Sequence, residues 1–334
     1  MRTLLVVVFA STAALAAEGF HVTDKIKIGG AGAWDYLTVD SAAHRLYVSH
    51  GTGVEVIDTD SGKVVGQIAD TQGVHGIAIA PALNKGFTSN GRTNNVTVFD
   101  LKTLQKTGEV ATGTNPDAIC YEPKTQRVFT FNGRSNDATA IDAKSNMAVA
   151  TFAVGPKPEF CAVDGAGKIY VNIENSNEIV EIDPQKPDVT RRSPLAPCEA
   201  PSGLAIDTKA KKLFAVCSNK VMAVVDTNTL KVTDTPPIGA GPDAAAFDSS
   251  LGLAFSSNGQ DGTITIVKPT NGKYDAVETI PTERTARTMA LDERTHRIYL
   301  SAAEFGPAPE PKEGQKKGRG AVVPDSFHIV VVGK

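Results

Sequence analysis

Three carboxylates stand directly after prolines, in Pro116-Asp117, Pro158-Glu159 and Pro242-Asp243, and Asp35, His75, Ser202 and Arg287 occupy matching places in the segments around them. Carboxylates converging from separate segments form the oxygen-rich ligand set of a hard cation such as Ca²⁺. With the His75 imidazole beside them, the set suits a transition metal instead. The alternative for Asp117, Glu159 and Asp243 is structural, each accepting backbone amides at the start of a strand. His75 is the natural general base of such a group, against the plainer role of a hydrogen-bonding loop residue. Arg287 would neutralise the acids or hold a ligand carboxylate. Ser202 lacks the Gly-x-Ser-x-Gly setting of an activated nucleophile. Trp34, the sole Trp, stands next to Asp35 and would either stack on a base or sugar or pack between structural units.

What must position these residues is a repeat. Arg45-Leu46-Tyr47-Val48-Ser49-His50-Gly51 recurs with variations, and its aromatic returns as Phe87, Phe129, Tyr170, Phe214, Phe255 and Tyr299, at spacings of 40, 42, 41, 44, 41 and 44 by subtraction of positions. A period this regular overrides the two-domain prior that 334 residues would suggest, because each copy is a fraction of one closed domain. Each unit reads as a short apolar strand, a polar turn, the aromatic-bearing strand, a third strand ending in Asp, and a more polar fourth strand such as Lys63 to Ile68. Asn90-Gly91, Asn132-Gly133 and Asn258-Gly259 read as tight turns in which both residues take positive φ. The Asp column, Asp58, Asp100, Asp142, Asp183 and Asp226, reads as turn-forming rather than metal-binding.

Four antiparallel strands per unit and seven units predict an all-β, seven-bladed β-propeller. The last unit lacks a fourth strand, and Lys25 to Ile28, alternating polar and apolar ahead of the first unit, is expected to complete it and close the ring. The loops that lead into each first strand and those that join second to third strands then gather at one mouth of the central channel, the default ligand site. Trp34, Asp35, His75, Asp117, Glu159, Ser202, Asp243 and Arg287, with Arg284, fall there, and the repeated aromatics fall in the core.

The net charge of -3 supplies no field for a polyanion, so duplex nucleic acid is not an expected partner. Residues 1–16 have the form of a secretory leader, with Arg2, an apolar run from Leu4 to Leu15 and Ala14-Leu15-Ala16 as the cleavage site. The remainder, 17–334, is expected to be one exported domain, periplasmic or extracellular, without a transmembrane segment and monomeric. Residues 305–326 form a Pro/Gly-rich insertion in the seventh blade, expected to be a mobile loop and carrying Lys312, Lys316, Lys317 and Arg319. In an oxidising compartment the four cysteines read as disulfide or buried thiols. Cys198 leads into the fifth blade and Cys217 leaves its second strand, so the two are expected to form a disulfide. Cys120 and Cys161 lie on adjacent innermost strands one register apart, and their pairing stays open.

Tyr47-Val48-Ser49, Phe87-Thr88-Ser89-Asn90 and Tyr170-Val171-Asn172, with the Gly-x-x-Pro approaches at Gly113, Gly155 and Gly239, resemble the YVTN-repeat propellers of exported bacterial and archaeal proteins. The resemblance spans nearly all of the chain after the leader. It implies the seven-bladed fold and no single activity, because that family and similar propellers include single-stranded-DNA binders, surface-layer proteins, lactonases and a lyase. The leading expectation is a non-catalytic binding or interaction propeller that takes a small molecule or protein at its channel mouth. A metal-assisted lactonase or lyase using Asp117, Glu159, Asp243 and His75 is the second. Single-stranded nucleic-acid binding through Trp34 and the basic loop is the third, and it predicts salt-sensitive binding. The one cofactor these residues suggest is a divalent cation.

Overall fold

The computed structural model of the chain describes residues 19–30, 33–308 and 320–334. The leader at 1–16 and the basic residues Lys312, Lys316, Lys317 and Arg319 lie outside them. Strand β1 is His21–Lys27, and the first blade is β2 (Trp34–Asp40), β3 (Arg45–His50), β4 (Gly53–Asp58) and β5 (Lys63–Ile68). Five more four-stranded antiparallel sheets follow by consecutive hairpins. The seventh runs Met289–Asp292, Arg297–Ala302, His328–Gly333 and then β1, which pairs antiparallel with His328–Gly333. The chain is therefore a seven-bladed propeller whose ring is closed by its N-terminal strand, as the alternation in Lys25–Ile28 predicts. No helix among the described residues is long and apolar enough to cross a membrane.

Seven repeated aromatics become one physical element. All seven side chains are buried between neighbouring sheets. On the third strand their partners are Val56, Val98, Ala140, Glu181, Val224, Ile266 and Val331. Six are apolar, which is what a sheet-on-sheet contact requires. The fourth blade's Glu181 is the exception.

The strand-end Asp column does the turn work expected of it. Asp58 accepts the Ser61 amide, Asp100 those of Lys102 and Thr103, Asp142 those of Lys144 and Ser145, and Asp226 those of Asn228 and Thr229. The Asn-Gly expectation is corrected. Asn90, Asn132 and Asn258 end their strands, buried, and each side-chain amide donates across the hairpin to residues five and seven positions on, such as Asn95 and Thr97 at 2.9 Å. The left-handed residues of these turns are Asn94, Asn136 and Gly262. A four-residue loop places its positive φ at the last position before the returning strand, whereas a two-residue turn would place it on the Asn-Gly pair itself.

Cys198 and Cys217 are joined in a disulfide across the base of the fifth blade's first hairpin, and Cys120 and Cys161 are free thiols. Closing a loop of sequence separation 19 should stabilise the chain by about 3 kcal/mol through the unfolded state. Cys198→Ser/Cys217→Ser is accordingly expected to lower the unfolding free energy by that amount, read as a lower urea midpoint. An unchanged midpoint would show that the bridge constrains nothing.

The described ends of the 305–326 insertion are pinned rather than free. Phe305 bridges to Val322, Gly306 N donates to the Ala321 carbonyl at 2.8 Å, and Val323 N donates to that of Glu304 at 2.9 Å. Trp34 packs into this corner against Phe327 and Phe305, with ring centroids 5.3 and 5.7 Å away.

Candidate functional site at the channel mouth

Six of the seven first strands carry the same irregularity two residues into the strand. Between Trp34 and Leu37, Val74 and Ile77, Pro116 and Ile119, Pro158 and Cys161, Pro201 and Leu204, and Pro242 and Ala245, two residues face one on the second strand. Such a bulge turns a side chain out of the alternation of the sheet. The first bulge residue is Asp35, His75, Asp117, Glu159, Ser202 or Asp243, and Arg287 stands at the matching place before Met289. The chemistry-bearing side chains are thus the residues that this backbone device re-aims. The prolines suit the first strand position because they have no amide to place in the ladder.

Where the second strand carries Ser opposite the bulge, its hydroxyl holds the bulge. Ser49 Oγ accepts the Asp35 amide at 2.8 Å and Ser89 Oγ accepts that of Gly76 at 2.9 Å. Ser89 also donates to the Asp117 carbonyl of the next blade, Ser257 to that of Arg287, and Asn172 Nδ2 to that of Ser202 at 2.9 Å. Where the third letter of the repeat motif is Ser89, Asn172 or Ser257 it ties its blade to the next blade's mouth residue, whereas Phe131 and Val216 at the same place carry no polar side chain.

The mouth is a polar cavity of about 210 Å³ lined by Asp35, Asp117, Glu159, Glu174, Asp243 and Arg287, among others. Below it Tyr36 and Phe160 face each other across the channel at 4.9 Å between ring centroids and give the cavity an apolar floor. His75 Nδ1 lies 2.7 Å from Asp35 Oδ2 and 3.7 Å from Asp117 Oδ1. One ligand atom from each of these three residues lies within 4.8 Å of the others, the only such His/Cys/Asp/Glu group among the described residues. Glu159 sits 3.3 Å from Lys157, which also binds Glu174. Asp243 pairs with Arg287 at 3.2 Å.

Of the carboxylates expected to hold metal, Asp117 alone joins His75, with Asp35 as the third member, while Glu159 and Asp243 face protein cations. Among the described residues no backbone amide donates to Asp117, Glu159 or Asp243, so the strand-start alternative is corrected. Ser202 lines the cavity, its hydroxyl reaching only the Pro242 carbonyl at 3.4 Å. Arg284 lies off the ring and donates to the Gln260 carbonyl. Trp34 is 8% exposed and packs between the first and last blades, against Phe305 and Phe327.

Crowding of like charge over an apolar floor shows in the titration of the group. Burial, followed by the neighbouring carboxylates, pushes Asp117 and Asp243 up to about 6 and Glu159 up to about 9, against the pull of His75, Arg287 and Lys157 respectively. Burial, the largest single influence on His75, opposes its cation, yet the Asp35 bond and the Asp117 charge together raise its pKa. The site therefore draws positive charge.

Glu174, Lys157 and Tyr36 also line the cavity, and none of them is among the mouth positions read from the sequence. Glu174 follows the second strand where other blades carry Gly51, Gly91, Gly133, Ser218 and Gly259. A Cβ on Gly91 would come 2.6 Å from His75 Nε2, so small residues there leave room for the ring side chains. One large acidic residue in a column of small ones was the available signal.

No family model matches the chain, and no curated protein matches it. Among solved structures it is similar to the hydrazine synthase of Kuenenia stuttgartiensis, with a TM-score of 0.70 and 16% identity over 86% of this chain and 96% of that one. It is also similar to a chain of the mitotic checkpoint complex, with a TM-score of 0.74 and 14% identity over 90% and 95% of the two chains. At these identities the likeness is one of fold.

Proposed function

We propose that this protein is an exported binding propeller of the YVTN-repeat type whose channel mouth holds a divalent cation on Asp35, His75 and Asp117. That cation and the surrounding polar groups would take a small polar ligand or an acidic group of a partner protein. The observation that carries the reading is the convergence of those three side chains from two adjacent bulges and the next one. His75 Nδ1 lies within reach of two carboxylates, where a metal would sit. An imidazole with two carboxylates suits Zn²⁺ or Mn²⁺ better than Ca²⁺. Export is supported by the leader-like 1–16 segment and the Cys198–Cys217 disulfide.

Isothermal titration with Zn²⁺, Mn²⁺ and Ca²⁺ tests the site. We expect one saturable ion per chain, tightest for Zn²⁺, with affinity lowered at least 100-fold by His75→Ala or Asp117→Asn. Wild-type protein that binds none of the three ions would refute the cation.

One observation favours a hydrolytic or lyase reading as the second. Glu159, held near 9, carries a proton at neutral pH as a general acid must. Turnover of simple lactones by metal-loaded protein, abolished in Glu159→Gln with metal binding intact, would promote that reading over simple binding.

A further inference from the structure

Each of the first three blades is tied to the next by the basic residue two positions before the aromatic of its second strand. Lys85 donates to the Ala143 and Lys144 carbonyls of the third blade at 2.9 and 2.7 Å, and Arg127 to the Pro184 and Gln185 carbonyls of the fourth at 2.6 and 2.9 Å. Arg45 reaches the Leu101 carbonyl in the same way. The fifth and sixth blades depart from it, with Lys212 paired to its own blade's Asp226 at 3.3 Å and Leu253 in place of a base, and the fourth departs in another way. Its Lys168 turns back onto Glu181 at 2.9 Å, the acid that replaces the Val, Ala or Ile of every other blade. The tie to the fifth blade comes instead from Arg191, which binds Glu181 and donates to the Thr227 and Asn228 carbonyls at 2.8 and 2.7 Å. Arg191 pairs with Glu181 at a place where the other fourth strands carry Gly66, Gly108, Ala150, Asp234, Glu278 and Asp24.

This exchange leaves a cleft of about 670 Å³ between the fourth and fifth blades, lined by Lys168, Tyr170, Glu181, Arg191, Ile206 and Lys211 among others. It is about three times the size of the mouth cavity and within the range that encloses small-molecule ligands. Glu181 is buried with both oxygens occupied, so it orients the two cations and leaves no acceptor for a ligand. Asp164, on the wall, is turned onto the Ala166 and Lys168 amides. Lys168 and Arg191 are about two-fifths exposed, and an ammonium with one bond to Glu181 keeps further donors. Lys168, Arg191 and Lys211 against Glu181 and Asp164 leave one net positive charge. Other blades show that an apolar residue suffices for the sheet contact, and burying a charged cluster in its place is not a stabilising choice. The departure therefore points to a ligand.

We propose that this cleft binds a small organic anion, a carboxylate or phosphate monoester with an apolar or ring-bearing body. Its charged end would lie on Lys168, Arg191 and Lys211, and its body against Ile206 and Tyr170. The inference is independent of the channel mouth. Phenyl phosphate is the probe, titrated calorimetrically into the full-length protein with inorganic phosphate as the comparator. We expect saturable one-to-one binding of phenyl phosphate, at least tenfold tighter than inorganic phosphate. Lys211→Asn, which suits the left-handed backbone at that position (φ 56), should weaken it about tenfold with the melting temperature unchanged. Lys168→Met should weaken it at least as much, and Asp117→Asn should leave it alone. No saturable binding by the wild type, or affinity indifferent to both lysine variants, would overturn the proposal. Loss of binding in Asp117→Asn would place the anion at the mouth and overturn it equally. Inorganic phosphate binding as tightly as phenyl phosphate would remove the role given to Ile206 and Tyr170.

Discussion

Raising the pH from 5 to 9 in the presence of a chelator is expected to lower the melting temperature by on the order of 10 °C, and Zn²⁺ added at pH 8 is expected to restore it. The sign follows from the mouth. Asp117 and Asp243 are raised to about 6 and Glu159 to about 9, so the folded chain holds these protons more tightly than the unfolded chain does. A group raised on folding stabilises fully below its unfolded pKa, and that stability is lost as the pH climbs through its folded value. His75, also raised, works in the same direction. A two-unit shift is worth about 3 kcal/mol, and 1 kcal/mol moves a chain of this size by about 2 °C, which sets the scale of the effect.

Carboxyls of opposite behaviour limit stability at the acid end. Burial works against the Glu181 carboxylate, but the bonds from Arg191, Lys168 and Thr190 outweigh it and hold the group near 2. Asp100 and Asp142 are held low chiefly by the turn amides of Thr103 and Ser145. Stability from such groups is present above the ordinary carboxylate range and lost as pH falls through their folded values. Melting temperature should therefore peak near pH 5 in the metal-free protein. The cation proposed for the mouth would move the optimum upward, because its ligands must be deprotonated. A melting temperature that is flat or rising between pH 5 and 9 in chelator would sink this account, and scanning calorimetry across that range decides it.

Deleting the chain through Lys27 should have a still larger effect on folding. Strand β1 carries the backbone partners of His328–Gly333 and buries Ile26, and just ahead of it Phe20 packs edge-on against Phe255 of the sixth blade at 5.4 Å. Without it the apolar Val330 and Val332 would lie on an unpaired edge, which invites pairing between chains. We expect loss of the cooperative transition and aggregation on size-exclusion chromatography. Ile26→Ala is the milder version, expected to cost about 2 kcal/mol with the fold retained. A truncated chain that melts like the full one would show that the ring does not depend on its closure.

Much of this architecture is written locally. An aromatic flanked by apolar residues is the continuous run of a strand buried on both faces, and an Asp at a strand end carries its own turn. Repetition of both at a near-constant interval is enough to count seven blades. The missing fourth strand of the last unit even identifies β1. Errors arose where one local signal serves two structures. Asn-Gly marks a tight turn in isolation, yet Asn90, Asn132 and Asn258 use their side chains to brace a longer hairpin. Glu174 and Glu181 were legible as exceptions within their columns, but a column can be compared only after its register is known.

The sequence by itself determined the fold, the mouth positions Asp35, His75, Asp117, Glu159, Ser202, Asp243 and Arg287, and the disulfide partners, because each is a property of one repeat copied around the chain. Only the tertiary structure decided which of those positions meet. Asp35, His75 and Asp117, about 40 residues apart in sequence, become neighbours because the ring brings successive bulges side by side and the bulges turn them inward. Trp34 packs against Phe327 of the seventh blade, which the chain builds some 300 residues later. Contacts of that kind depend on closing the ring, and no local pattern records them.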